Sequence, residues 1–175
     1  MRDPLLPAYK AIRAAIEHVH GTDFPVLDAI PPPTEFKKQI PAANITYVSG
    51  TLEKALMREH EPHAMKLNPD GTYTVATESS RFDYLLQVSF FAERPGIAQK
   101  LSNEFMAYIE TENDIPIPND KWEKSIEIFL TAPPLPPRGE PDVYQVDATY
   151  RCRGKLLTES IANAINSSNF KPKVR

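Results

Sequence analysis

The segment His60-Glu61-Pro62-His63, with Glu59 beside it, gathers the most metal-capable side chains of this 175-residue chain: two imidazoles three residues apart and two carboxylates. Helical zinc motifs set their histidines at i and i+4 so that both face one side, whereas this spacing is three and Pro62 interrupts any such helix. No cysteine or second ligand pair stands nearby, so metal binding finds weak support. Glu110, Glu112 and Asp114 form an acidic run at the end of a predicted helix. Glycoside cleavage would need a partner carboxylate across a cleft. A solvated helix end is the simpler reading, because the helix dipole disfavours such charges by only about a few tenths of a kcal/mol each. The single cysteine, Cys152, falls on the apolar side of a predicted strand and reads as a small buried hydrophobe rather than a nucleophile. The six glycines lie far apart and form no phosphate-cradling loop, and no G-x-S-x-G elbow occurs. No catalytic cluster emerges, no cofactor is implied, and the chain does not read as an enzyme.

The elements around these residues show clear periodicity. Phe82, Tyr84, Leu86, Val88 and Phe90 alternate with Asp83, Gln87 and Ser89, the period of a half-buried strand over 81–92. Tyr144, Val146, Ala148, Tyr150 and Cys152 alternate with Gln145, Asp147, Thr149, Arg151 and Arg153, which predicts a second strand over 143–153. Ile126, Ile128 and Leu130 predict a third over 125–130. Leu5, Tyr9, Ile12, Ile16 and Val19 mark one face of an N-terminal helix that Gly21 ends, with His18 and His20 as surface residues near its C-terminus. Pro95-Gly96 opens a second helix whose Ile97, Leu101, Phe105, Tyr108 and Ile109 should lie on the Phe82/Tyr84/Leu86 side of the sheet. Asn68-Pro69-Asp70-Gly71 is a turn joining 65–67 to 73–75 as a hairpin. Ile45–Val48 reads as a short strand, 51–59 as a brief helix, 113–119 as loop, and 158–165 as a short terminal helix before a flexible tail. The fold class is α+β: a mainly antiparallel sheet with an N-terminal helix and a second helix packed on one face. A single domain spans 1–157, including an extended arm over 22–42, and 158–175 follows it.

Apolar residues at 41% and charged residues at 25% fit a soluble globular chain, and no apolar run approaches the roughly 20 residues needed to span a bilayer. The N-terminus lacks the apolar core of a secretory signal, so a reducing cytosol is the expected compartment of synthesis. A net charge of -3 identifies no nucleic-acid partner, although Arg151, Arg153 and Lys155 make a local basic stripe. Proline departs most from the average: 18 residues, clustered at 31–33 and 133–141, which make stiff, extended connections suited to contacting a neighbouring subunit. Pro133, Pro134, Leu135, Pro136, Pro137 and Arg138 resemble a P-x-x-P ligand, yet their place between two strands favours a stiff hairpin loop.

The layout resembles the tail terminator, or tail completion, proteins of long-tailed bacteriophages, and more loosely other phage neck connectors. The resemblance rests on the helix from Leu5 to Val19, the passage Phe82-Asp83-Tyr84-Leu85-Leu86-Gln87-Val88-Ser89-Phe90-Phe91 into Ile97–Ile109, and the closing strand Val143–Arg151. It covers roughly residues 1–155 and leaves the arm at 22–42 and the loop at 131–142 unmatched. It implies a ring, usually hexameric, that caps the tail tube, meets neck or head-completion proteins, and passes DNA through its channel without specific binding. It implies a virion protein assembled in the host cytoplasm, with no membrane and no catalytic residues. Within that picture Glu110, Glu112 and Asp114 are candidates for channel lining. The proline-rich loop from Pro133 to Arg138, with Arg151 and Arg153, is a candidate inter-subunit contact. The readings from other classes are a small metal-dependent hydrolase using His60 and His63 and a monomeric peptide-binding adaptor.

Overall fold

The computed structural model describes residues 5–54, 62–118, 125–140 and 142–162. Along the chain run α1 (Leu6–His20), β1 (Val26–Leu27), α2 (Pro33–Phe36), β2 (Ala42–Lys54), β3 (Pro62–Leu67), β4 (Tyr73–Ala92), α3 (Pro95–Thr111), β5 (Asp114–Pro116), β6 (Ser125–Ala132), β7 (Arg138–Glu140) and β8 (Val143–Ala162). The class is α+β. One strongly curled sheet has the order β1-β2-β4-β8-β6-β5, with β3 also on β4 and β7 also on β8. Every pairing is antiparallel except β1 with β2.

Two 20-residue strands, β4 and β8, pair from Tyr73↔Ala162 to Ala92↔Tyr144 and form the spine. Their even-numbered residues from Phe82 to Phe90 and from Val146 to Cys152 are all buried, as the alternation predicts. α1 and α3 cover that face. Phe105 meets Phe90 at 5.7 Å and Tyr150 at 5.1 Å between ring centroids, and Ile109 joins the same core. α1 buries Ile12 and Ile16 as predicted, together with Ala8, Ala11 and Ala15, whose small side chains allow close backbone approach. Gly21 ends α1 at φ 103°, a conformation that favours glycine, and its N–H closes on the Glu17 carbonyl. Gly154 serves packing: a Cβ there would lie 2.6 Å from Phe82 Cζ and 2.9 Å from Ile126 Cγ2. Gly154→Val should therefore destabilise by about 1–3 kcal/mol through overpacking, read as a lower denaturation midpoint at unchanged m-value.

Several expectations need correction. The hairpin strand at 73–75 and the long strand at 81–92 are one element, because a bulge at Ser79 lets the ladder with β8 continue through polar Glu78-Ser79-Ser80. Residues 158–162 are strand, not helix, because β8 pairs with Tyr73–Thr77 of β4 there. Residues 51–54 extend β2 rather than starting a helix, while 55–59 of that expected helix lie outside the described residues, as do 163–175. Asp114–Pro116 is a short strand on β6 instead of loop. The 22–42 arm is folded onto its own body: Val26 adds to β2 and is buried, and Phe36 sets its ring edge-on against Phe91, 4.9 Å between centroids. Alternation puts Phe91 on the sheet face opposite Phe90, so the arm reaches the side that α1 and α3 leave open. Ile30 of the arm is 56% exposed. No helix among the described residues is long and apolar enough to cross a membrane.

Candidate functional site: an ion-paired sheet face and a projecting sheet

The basic stripe lies on the face opposite α1 and α3, and its charges are met from β4. Asp83 accepts from Arg151 Nε at 2.8 Å and from Arg153 Nε at 3.1 Å, one guanidinium on each carboxylate oxygen. Burial opposes the charge on Asp83, but the hydrogen bonds from Arg151 and Arg153 outweigh it and hold the carboxyl below its ordinary range. Glu78 repeats the arrangement. Arg81 Nε donates to it at 2.5 Å and Lys155 Nζ lies 3.4 Å away, and against the opposing effect of burial these contacts keep its carboxyl low as well. Cross-strand register extends the row to Glu127, opposite Arg153, and to Asp114, opposite Glu127. Arg81, Asp83, Asp114, Glu127, Arg153 and Lys155 line, together with Thr51 and Glu53, an open groove of about 680 Å³. Because Arg153 and Lys155 are spent on carboxylates one strand away and Arg81 on Glu78 of its own strand, the groove is self-neutralising and poorly suited to retain phosphate. Arg153 also lies over the Phe129 ring, 6.0 Å from its centroid.

The predicted acidic set is dispersed. Glu110 and Glu112 are exposed at the end of α3, where Glu112 is the C-cap, whereas Asp114 opens β5 and accepts from Ser125 Oγ at 3.0 Å. Among the described residues no group of three or more His, Cys, Asp or Glu is placed to hold a metal ion. His60 lies outside the described residues, and His63 is placed only as a backbone position in β3. Cys152 is fully buried, and desolvation, assisted by the charge of Asp83, pushes its thiol up to about 12.

The proline-rich segment folds against its own sheet. Pro133, Leu135 and Pro136 are exposed, Pro134 and Pro137 are half-buried, and Leu135 donates its N–H to the Asp147 carbonyl at 3.0 Å. Arg138 starts β7 and pairs with the Asp147 carboxylate, which is only 6% exposed. Asp147 Oδ1 also accepts from Ser89 Oγ at 2.6 Å and Gln145 Nε2 at 2.7 Å. Alternation alone gives Asp147 a solvated position. It is buried because residues 133–140 cover that end of the face.

His20 differs from its expectation in the same way. Its side chain is 3% exposed, with its ring 5.0 Å from Phe24 and 5.4 Å from Phe90 between centroids, and Nε2 has no hydrogen-bond partner among the described residues. Desolvation lowers its pKa from the ordinary value, against the opposing pull of Glu104, 3.8 Å away, and of the Leu101 backbone. The helix dipole favours a proton at this helix end, but burial outweighs it. A depressed histidine leaves the unfolded chain binding more protons between the folded and unfolded pKa values. The neutral ring's contribution is therefore complete above about pH 6.5 and lost as pH falls below it. Melting temperature should drop between pH 7.5 and 5.5, and His20→Phe should flatten that drop; an unchanged slope in the variant would show that other groups set it.

The spine projects beyond the helical layer. Among the described residues β3, β4 and β8 alone make up its far end, through Pro62–Leu67, Tyr73–Thr77 and Thr158–Ala162, where Val75 and Ala76 of the central strand are still buried. Cross-strand partners share a face, so Met65, Leu67, Tyr73 and Val75 lie together. Met65 is 60% and Leu67 59% exposed, and Ile161, on the other face, is 76% exposed. Leu52 and Tyr47 continue the apolar strip along β2, 47% and 46% exposed. The sequence gives no signal for this patch, because Met65 and Leu67 read only as the flank of a turn.

No protein-family model matches the chain, and no curated protein matches it.

Proposed function

We propose that this chain is a structural assembly protein, a ring-forming tail terminator or neck connector of a long-tailed bacteriophage that joins tail tube to head around a DNA channel. The observation that supports it most is the projecting sheet. A sheet that runs past its covering helices among the described residues, with Met65, Leu67 and Ile161 exposed on it, is suited to contact with another chain. The self-neutralised groove agrees with a surface that DNA passes without being held. In this reading Glu110 and Glu112, exposed at the end of α3, and Asp114 in the groove face the channel, and the protein is found in the virion. The proline-rich loop contacts the neighbouring chain through Leu135, which is 52% exposed. Arg138, Arg151 and Arg153, all paired within the subunit, contribute mainly by shaping that surface.

The test is the mass of the intact protein by light scattering across a wide concentration range, together with its detection in purified virions. A discrete oligomer and a stoichiometric virion component are expected. A monomer at every concentration, absent from virions, would retire the proposal. Leu135→Ser should lower the yield of joined heads and tails without changing melting temperature. Removing the whole loop is a poor test, because it also strips Arg138 from buried Asp147.

A further inference from the structure

We infer that the proline-rich segment 132–138 is a preformed ligand for an aromatic-lined groove on another protein, which receives Ala132-Pro133 and Leu135-Pro136 as two successive apolar–proline pairs. The inference rests on the assembly reading, in which this loop meets a neighbouring chain, and names the chemistry of the surface that receives it. Every residue from Ala132 to Pro137 is a proline or precedes one. Proline fixes its own φ, and the residue before a proline is driven to extended backbone, so the segment is confined to the polyproline II helix. Strand pairing does not compete. The ladder of β6 on β8 ends at Ala132 and that of β7 begins at Arg138, and between them the Leu135 N–H donates to the Asp147 carbonyl at 3.0 Å.

Side-chain exposure follows the threefold period of that helix. Residues three apart share an edge, which sets Pro133 with Pro136, Ala132 with Leu135 and Arg138, and Pro134 with Pro137. The first two edges are exposed throughout, Leu135 at 52% and the Arg138 side chain at 63%, whereas Pro134 and Pro137 are half-buried. Both apolar–proline pairs lie on the two exposed edges, so a groove can take them while the third edge stays on this chain. A stiff connection between strands has no use for an exposed leucine, whereas packing of leucine and proline on aromatic rings buries it. The Leu135 N–H and the pairing of Arg138 with Asp147 hold the segment in shape before it binds, which lowers the entropic cost of association.

An SH3 domain, whose aromatic-lined groove takes P-x-x-P segments, serves as the probe. Titrated with the intact protein, the isotope-labelled domain should show chemical-shift changes confined to its groove, at concentrations no higher than a free peptide of residues 131–139 requires. Where oligomers already occupy the loop, that peptide in excess should instead dissociate them, read by light scattering. Pro133→Ala with Pro136→Ala should weaken either effect at least tenfold. Pro134→Ala with Pro137→Ala, on the half-buried edge, should weaken it less and lower the melting temperature more. Equal weakening by the two pairs would refute the edge assignment. A peptide that does not bind the domain, or one that binds while the folded protein neither binds nor is dissociated by it, overturns the inference, and a discrete oligomer found in virions would still uphold the assembly reading. Binding by a protein that is monomeric and absent from virions keeps the ligand and removes the assembly reading.

Discussion

Replacing Leu86 by aspartate should leave the chain largely unfolded at 25 °C, whereas the same change at Leu85 should be nearly silent. Leu86 is 3% exposed, in register with Tyr150 and within the core that α1 and α3 cover. An aspartate there is buried without a cation, and the lost packing adds to the desolvation of the charge. A penalty of about 4–5 kcal/mol or more is expected. That is comparable with the whole stability of a typical domain, about 5–15 kcal/mol. Leu85 is half-buried on the opposite face, in register with Arg151, where a new carboxylate meets a guanidinium and water. Its change should stay within about 1 kcal/mol. Thermal melts by circular dichroism read the contrast, and equal losses in the two variants would refute the face assignment.

That contrast rests on what the residues made legible. Alternation over 82–90 and 144–152 is local, and local periodicity assigns faces without knowledge of strand partners. What was illegible depends on partners far along the chain. The run Thr158-Glu159-Ser160-Ile161-Ala162 has nothing against a helix, and it is a strand because Tyr73–Thr77 offers a ladder some 85 residues earlier in sequence. Arg151 and Arg153 read as a basic stripe because Asp83, their acceptor, stands 68 and 70 residues away. His20 read as a surface residue by its place at a helix end. Its burial follows from the turn at Gly21, which returns Phe24 onto its ring. The candidate site follows the same division. The acidic and proline-rich residues were visible as types, but their dispersal, pairing and cover are properties of the closed sheet. The projection was invisible because it consists of two ordinary strand ends, of β4 and β8, and the short β3 beside them, continuing past the helices.

Asp147→Ala should cost about 2–4 kcal/mol, much more than a typical outward-facing strand position, because three donors converge on one buried carboxylate. Ser89 is 3% exposed, and without Asp147 Oδ1 its hydroxyl loses its acceptor in a place that water reaches poorly. Arg138→Ala leaves the carboxylate, 6% exposed, without its cation, although Ser89 and Gln145 still donate to it, so it should cost less than Asp147→Ala but more than a surface pair would. Asp147→Asn retains an acceptor for Ser89, removes the buried charge and frees Arg138, whose side chain is 63% exposed and rehydrates, so it should cost least. The order Asp147→Ala, Arg138→Ala, Asp147→Asn in decreasing loss, measured by urea denaturation, distinguishes a buried polar anchor from a surface salt bridge. A surface pair would make all three losses small and similar. The anchor also links packing to the proposed activity, because Asp147 fixes both the start of β7 and, through its carbonyl, Leu135 of the proline-rich loop. Asp147→Asn should therefore loosen residues 133–138 to hydrogen exchange before it lowers global stability. Protection in that segment unchanged from wild type would show that the prolines alone hold the loop.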